Sequence, residues 1–177
     1  MLNVFVSRQR PHYDYEVNIN KKFEEASRNL KEQGVAKFAF MTDAVLKGQP
    51  ANYPDIDILI FKNDKLFANV EIKKSLSAPQ ILNRALAIAS RTATQINLPL
   101  CIVCSEEELY YSTNQGSEFS HIPLYTVDDL CGLLSENVIE DDADVTWTEF
   151  KTHLEELIGE SKLGEAKKDS LLSTIND

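Results

Sequence analysis

The feature that most constrains the fold is the stretch from Asp55 to Lys73, where apolar and polar side chains alternate through two short runs. A period of two marks a strand, because successive side chains leave opposite faces of the pleat. In the first run Ile56, Ile58 and Ile60 share one face, and Asp55, Asp57, Leu59 and Phe61 share the other. In the second, Leu66, Ala68, Val70 and Ile72 stand opposite Phe67, Asn69, Glu71 and Lys73. Asn63-Asp64-Lys65 lies between them as a polar turn, so the pair reads as an antiparallel hairpin with its isoleucines toward the core.

For both core faces to coincide, opposed residues must have numbers summing to an even value, and a three-residue loop makes that sum 128. Asp57 then faces Glu71, and Asp55 faces Lys73. Opposed side chains have Cβ atoms about 4.5–5.5 Å apart, so two carboxylates there repel unless something neutralises them. A hard divalent cation with oxygen ligands, magnesium or manganese, does so. The plainer alternative is an amphipathic hairpin whose charged side simply faces solvent.

Around this hairpin the chain alternates helical and strand patterns. Asn18 to Gln33 carries Ile19, Phe23, Ala26 and Leu30 at helical spacing, and Gly34 follows at a C-cap position. Val35 to Leu46 reads as a strand, broken by Lys47-Gly48-Gln49-Pro50. Ala78 to Gln95 is the clearest helix, with Ile81, Ala85, Ile88, Ala89 and Thr92 on one face. Pro99 to Cys104 suits a strand buried on both sides. Glu108 to Thr113 and Ile122 to Thr126 are further strands, and Val127 to Leu134 is a brief helix. Residues 135–146 read as an acidic linker and 147–177 as a helical C-terminal extension built on Trp147, Phe150, Leu154, Leu157 and Ile158.

Composition sets the outer bounds. The chain of 177 residues is long enough for one domain with a real core, here residues 1–134. No apolar run approaches a membrane span and no secretory signal is evident, so the expectation is a cytoplasmic protein without membrane partners. Cys101 and Cys104, in one strand and three apart, point to opposite faces and read as buried structural cysteines rather than metal ligands. His12, His121 and His153 form no nucleophile–base arrangement by spacing. The net charge of −10 is unevenly spread. Residues 1–100 hold 14 basic and 10 acidic residues, whereas residues 101–177 hold 4 and 18. Affinity for phosphate draws on lysine and arginine, so a nucleic-acid face is electrostatically plausible only on the first part.

Pro54-Asp55, Asp57 and the triplet Glu71-Ile72-Lys73 resemble the PD-(D/E)xK nuclease superfamily, in which an acid on one strand precedes an E-x-K triplet on the next. DILIF followed by NVEIKKS is similar to the N-terminal nuclease domain of type I restriction enzyme motor subunits, over roughly Asn18 to Tyr111. The resemblance implies an α/β, restriction-endonuclease-like core: a central mixed β-sheet flanked by helices, here with the C-terminal helical extension. It implies magnesium-dependent endonuclease activity, with DNA as the favoured nucleic acid and a motor or other protein as a partner. Asp57 and Glu71, with Asp55 and the carbonyl of Ile72, are the implied metal ligands; Asp57, Glu71 and Lys73 are the implied catalytic residues. A further acid from the first helix is expected, with Glu16, Glu24 and Glu25 the candidates.

The type I relatives carry a Q-x-x-x-Y pattern in the next helix. Gln80 matches its glutamine, but Arg84 stands where the tyrosine belongs. Gln80 is equally explained as the N3 residue of a capping box headed by Ser77. Gln80, Arg84, Arg91 and Lys74 are the implied nucleic-acid contacts. No G-x-x-x-x-G-K-[ST] loop is present, so any motor belongs to a partner. A different class of function keeps the fold without the chemistry, as an adaptor or inhibitor acting through the acidic C-terminal part.

Overall fold

A computed structural model describes residues 4–7, 10–46, 55–136, 152, 154–156, 158 and 164–176. The expected break at 47–50, Pro54, nearly all of the acidic linker, and Trp147, Phe150 and Leu157 lie outside the described residues. In chain order the elements are β1 (Val4–Ser7), α1 (Asp14–Glu32), β2 (Phe38–Leu46), β3 (Ile56–Lys62), β4 (Lys65–Ile72), α2 (Pro79–Gln95), β5 (Leu100–Cys104), β6 (Glu108–Ser112), β7 (Ser120–Pro123), α3 (Val127–Ser135) and α4 (Glu165–Asn176).

The seven strands form one mixed sheet in sequence order, antiparallel throughout except for the parallel pair β4–β5. That parallel step requires a crossover, which α2 supplies. Helices cover both faces. Ile19, Phe23, Ala26 and Leu30 of α1 and Leu130, Leu133 and Leu134 of α3 pack on one side with Ile58, Ile60, Val70 and Ile72. Ala85, Ala89 and Ala93 of α2 pack on the other with Leu59, Phe61, Cys101 and Val103. Leu154 belongs to this second cluster and Ile158 is also buried, so part of the C-terminal region lies against the domain. No helix among the described residues is long and apolar enough to cross a membrane.

The hairpin departs from expectation in an instructive way. Its loop is the two-residue turn Asn63-Asp64, both at positive φ (48° and 67°), with Lys62 paired to Lys65. A bulge follows at once: Phe61 pairs with Leu66 but Ile60 pairs with Ala68, leaving Phe67 as the extra residue. Beyond the bulge Ile58 pairs with Val70, which restores the register that sums to 128. The side of the hairpin carrying Leu59 and Phe61 is also not open to solvent, because α2 lies over it.

Other boundaries move as well. β7 runs Ser120–Pro123 rather than Ile122 to Thr126, because its partners on β6 pair Tyr111 with Ser120 and Glu108 with Pro123 and leave 124–126 beyond the sheet, and β2 begins at Phe38 rather than Val35, where its pairing with Lys62 starts. Helix α1 starts four residues earlier than its apolar spacing suggests, because Tyr13 is an N-cap without a side-chain hydrogen bond and leaves no sequence mark. The expected capping box at α2 is not formed. Pro79 is the first helical residue and holds Ala78 extended (φ −82°, ψ 121°), so Ala78 is the N-cap and Ser77 instead bonds Ser75. Ile81, expected on the packed face, is exposed, and the buried face is Ala85, Ala89, Thr92 and Ala93.

Candidate metal and phosphate site

Strands β2, β3 and β4 bring acids to neighbouring positions near one end of the sheet. Ile58 pairs with Val70, so the next residues out are Asp57 on β3 and Glu71 on β4. On the other side of β3, Thr42 pairs with Ile58 and Ala44 with Ile56, which places Asp43 beside Asp57. Three acids thus stand across adjacent strands. Asp43 is 2% exposed and takes φ +52°, a left-handed conformation that costs a non-glycine residue about 1–2 kcal/mol. Such strain inside a paired strand concentrates at functional positions.

The Asp57 carboxylate is fixed by the backbone of the E-x-K triplet: Ile72 N–H donates to Asp57 Oδ2 at 2.6 Å. Lys73 leaves the strand just after it, its N–H bonded to the Cys104 carbonyl, and its ammonium donates to Glu71 Oε1 at 2.7 Å. Burial and the neighbouring Glu71 charge push the Asp57 carboxyl up to about 7, against the Ile72 hydrogen bond and Lys73. Burial also raises the Glu71 carboxyl, opposed by Lys73 and by Arg84. Burial works to lower Lys73, but its ion pair with Glu71 wins and holds the ammonium charged. A cation would relieve the strain on this carboxylate pair.

A second group adjoins it. Arg10 Nη1 and Nη2 grip Glu16 of α1 at 3.1 and 2.7 Å, and Nη2 also lies 3.1 Å from Asp43 and 3.7 Å from Asp57. His12 Nε2 is 2.6 Å from Asp43 Oδ2. The donor atoms of His12, Glu16 and Asp43 all lie within 4.8 Å of one another, compact enough to converge on one ion. Tyr15 borders both groups, its hydroxyl pushed up by burial and then by Glu16 and Asp57.

Among the residues singled out from sequence, the structure thus brings together Asp57, Glu71, Ile72 and Lys73. Asp55 stands just ahead of β3, and it is Asp57 that takes the Ile72 amide. Of the three first-helix acids only Glu16 is buried in the cluster; Glu24 and Glu25 are exposed. Arg84 is exposed on α2 yet its charge reaches Glu71, and Gln80, Arg91 and Lys74 are also exposed. Arg10, His12 and Asp43 were not anticipated. His12 lies within hydrogen-bond distance of Asp43. A lone acid within FAFMTDAVL, a strand otherwise free of charge, was the available signal for Asp43.

Cys101 and Cys104 lie in opposite core clusters, both are free thiols, and burial raises each to about 12, which leaves them inert. Comparisons with protein-family models, with curated proteins and with solved structures returned no match.

Proposed function

We propose that the chain is a metal-dependent phosphodiester hydrolase of the PD-(D/E)xK type, acting on nucleic acid, with DNA favoured by the resemblance. The observation that carries this reading is the pair of contacts made by the E-x-K triplet. Asp57 is pinned by the Ile72 amide, Glu71 stands beside it, and Lys73 reaches back to Glu71. A solvated charged face needs no such interlocking. The mixed sheet with helices on both sides agrees with a restriction-endonuclease-like core.

Asp57 and Glu71, joined by Asp55 and the Ile72 carbonyl, would hold magnesium or manganese. Their oxygen-only donors and mutual repulsion suit a hard cation. When bound, the ion supplies charge withdrawal from the scissile phosphate and a lower proton affinity for water. The chain's own groups do the rest. Asp57 is oriented by a backbone donor and cannot rotate away. Lys73 keeps a positive charge next to the acids, where it stabilises negative charge developing on the phosphate. Arg84, whose field reaches Glu71, is placed to hold a strand phosphate, and Gln80, Arg91 and Lys74 are exposed for backbone contacts.

A panel of linear, circular and single-stranded DNA and of RNA, incubated with magnesium, tests the reading. Cleavage of at least one substrate, absent with a chelator, is expected. The charge asymmetry favours one rival, an adaptor or inhibitor that acts through the acidic part after residue 100 and relies on a partner for any motor. Calorimetry separates the two: a folded sample that takes up neither magnesium nor manganese supports the adaptor.

A further inference from the structure

We propose a second cation seat, formed by His12, Glu16 and Asp43 and occupied in the ion-free protein by the guanidinium of Arg10, that takes a divalent cation of the manganese class. It goes beyond the Asp57–Glu71 seat and shares with that reading only the premise that this end of the sheet binds cations.

The three side chains converge within 4.8 Å, and they come from three places: the segment ahead of α1, the first turn of α1, and the left-handed residue of β2. A positive group already stands there. Arg10 faces Glu16, Asp43 and Asp57 at 2.7, 3.1 and 3.7 Å, one delocalised charge against three carboxylates. The match is incomplete: Asp43 Oδ1 is buried and ion-paired to Arg10 Nη2 at 3.1 Å, yet it accepts no aligned hydrogen bond, so its charge is countered without its oxygen being saturated. An ion approaches each oxygen to about 2.0–2.2 Å, closer than a planar guanidinium can reach three acids at once.

One imidazole nitrogen among carboxylates shifts preference from magnesium toward manganese or zinc. Displacing Arg10 unfolds no element, because residues 10–13 precede α1 without regular structure and the Arg10 side chain is 35% exposed.

Titration of the full chain with manganese chloride, followed by electron-spin-echo spectroscopy, tests the seat. At saturating manganese the unaltered protein should show coupling to an imidazole nitrogen, lost in His12→Ala. Arg10→Met should tighten the ion carrying that signal by about ten-fold or more, since its resident competitor is gone. In the Arg10→Met background, Asp43→Asn should remove that ion while Asp57→Asn keeps it. Absence of imidazole coupling in the unaltered protein overturns the proposal, and does so even where Arg10→Met fails to fold. An Arg10→Met isotherm identical to that of the unaltered protein overturns it too. Either result leaves the Asp57–Glu71 reading standing, because cleavage and its loss in Lys73→Ala are measured separately with magnesium.

Discussion

The two acid groups at this end of the sheet solve the same electrostatic problem differently. Glu16 and Asp43 are buried but matched by Arg10 and His12, at contacts of 2.6 to 3.1 Å. Asp57 and Glu71 are countered more weakly, by Lys73 at 2.7 Å from Glu71, by Arg84 at longer range and by Arg10 at 3.7 Å from Asp57, and both carboxyls are driven upward by burial. The first group resembles a loaded site with an arginine in place of the ion. The second is left short of positive charge, a condition that favours a divalent cation. Substitutions in one group should therefore behave unlike those in the other.

The largest contrast is expected in catalysis. Asp57→Asn and Glu71→Gln should each reduce magnesium-dependent cleavage by about a thousand-fold, whereas Glu24→Gln, an exposed acid on α1, should leave the rate unchanged. Initial rates under saturating magnesium make the comparison.

The next contrast is in stability, and its sign is counter-intuitive. The Asp57 carboxyl rises from 3.8 to about 7 on folding, so the folded protein holds that proton more tightly than the unfolded chain. Its contribution is full below pH 3.8 and is lost as pH rises through 7, at a cost on the order of 4 kcal/mol in ion-free protein. Asp57→Asn should therefore raise the ion-free melting temperature at pH 8 and change little at pH 4. Arg10→Met should do the reverse, destabilising the ion-free protein by about 2 kcal/mol, because it leaves Glu16 and Asp43 buried without their partner. Urea unfolding in chelator at both pH values checks both signs.

Proton and cation compete for Asp57, so the rise in melting temperature given by magnesium should grow between pH 5 and pH 8. That dependence should vanish in Asp57→Asn. Smallest is the effect at the mouth of the site: Arg84→Ala should weaken DNA binding by about three-fold and lower the salt dependence by about one counterion.

The sequence was most informative where chemistry and local geometry coincide. Asp57 and Glu71 lie on two strands joined by a two-residue turn and Lys73 follows directly after the second, so alternation alone put them on one face. The register survived a misjudged loop, because the bulge at Phe67 returned the residue that the shorter turn removed. Arg10, His12, Glu16 and Asp43 meet only after α1 has packed on the sheet and β2 has paired with β3. No periodicity links them. The N-cap of α2 is Ala78 rather than Ser77, because the constraint that Pro79 places on Ala78 outweighs the serine–glutamine pattern. The cover of α2 over Leu59 and Phe61 likewise depended on a crossover between β4 and β5 that a hairpin pattern does not reveal.

The most direct test of the central claim, that the Asp57–Glu71–Lys73 corner is a metal-dependent hydrolytic site, is nicking of supercoiled DNA by the purified chain beside Lys73→Ala, each with magnesium and with chelator. The site as described predicts nicking that requires magnesium and is lost in Lys73→Ala while the variant keeps its fold. Equal nicking by both proteins, or none by a folded unaltered chain across the nucleic-acid panel, would contradict it.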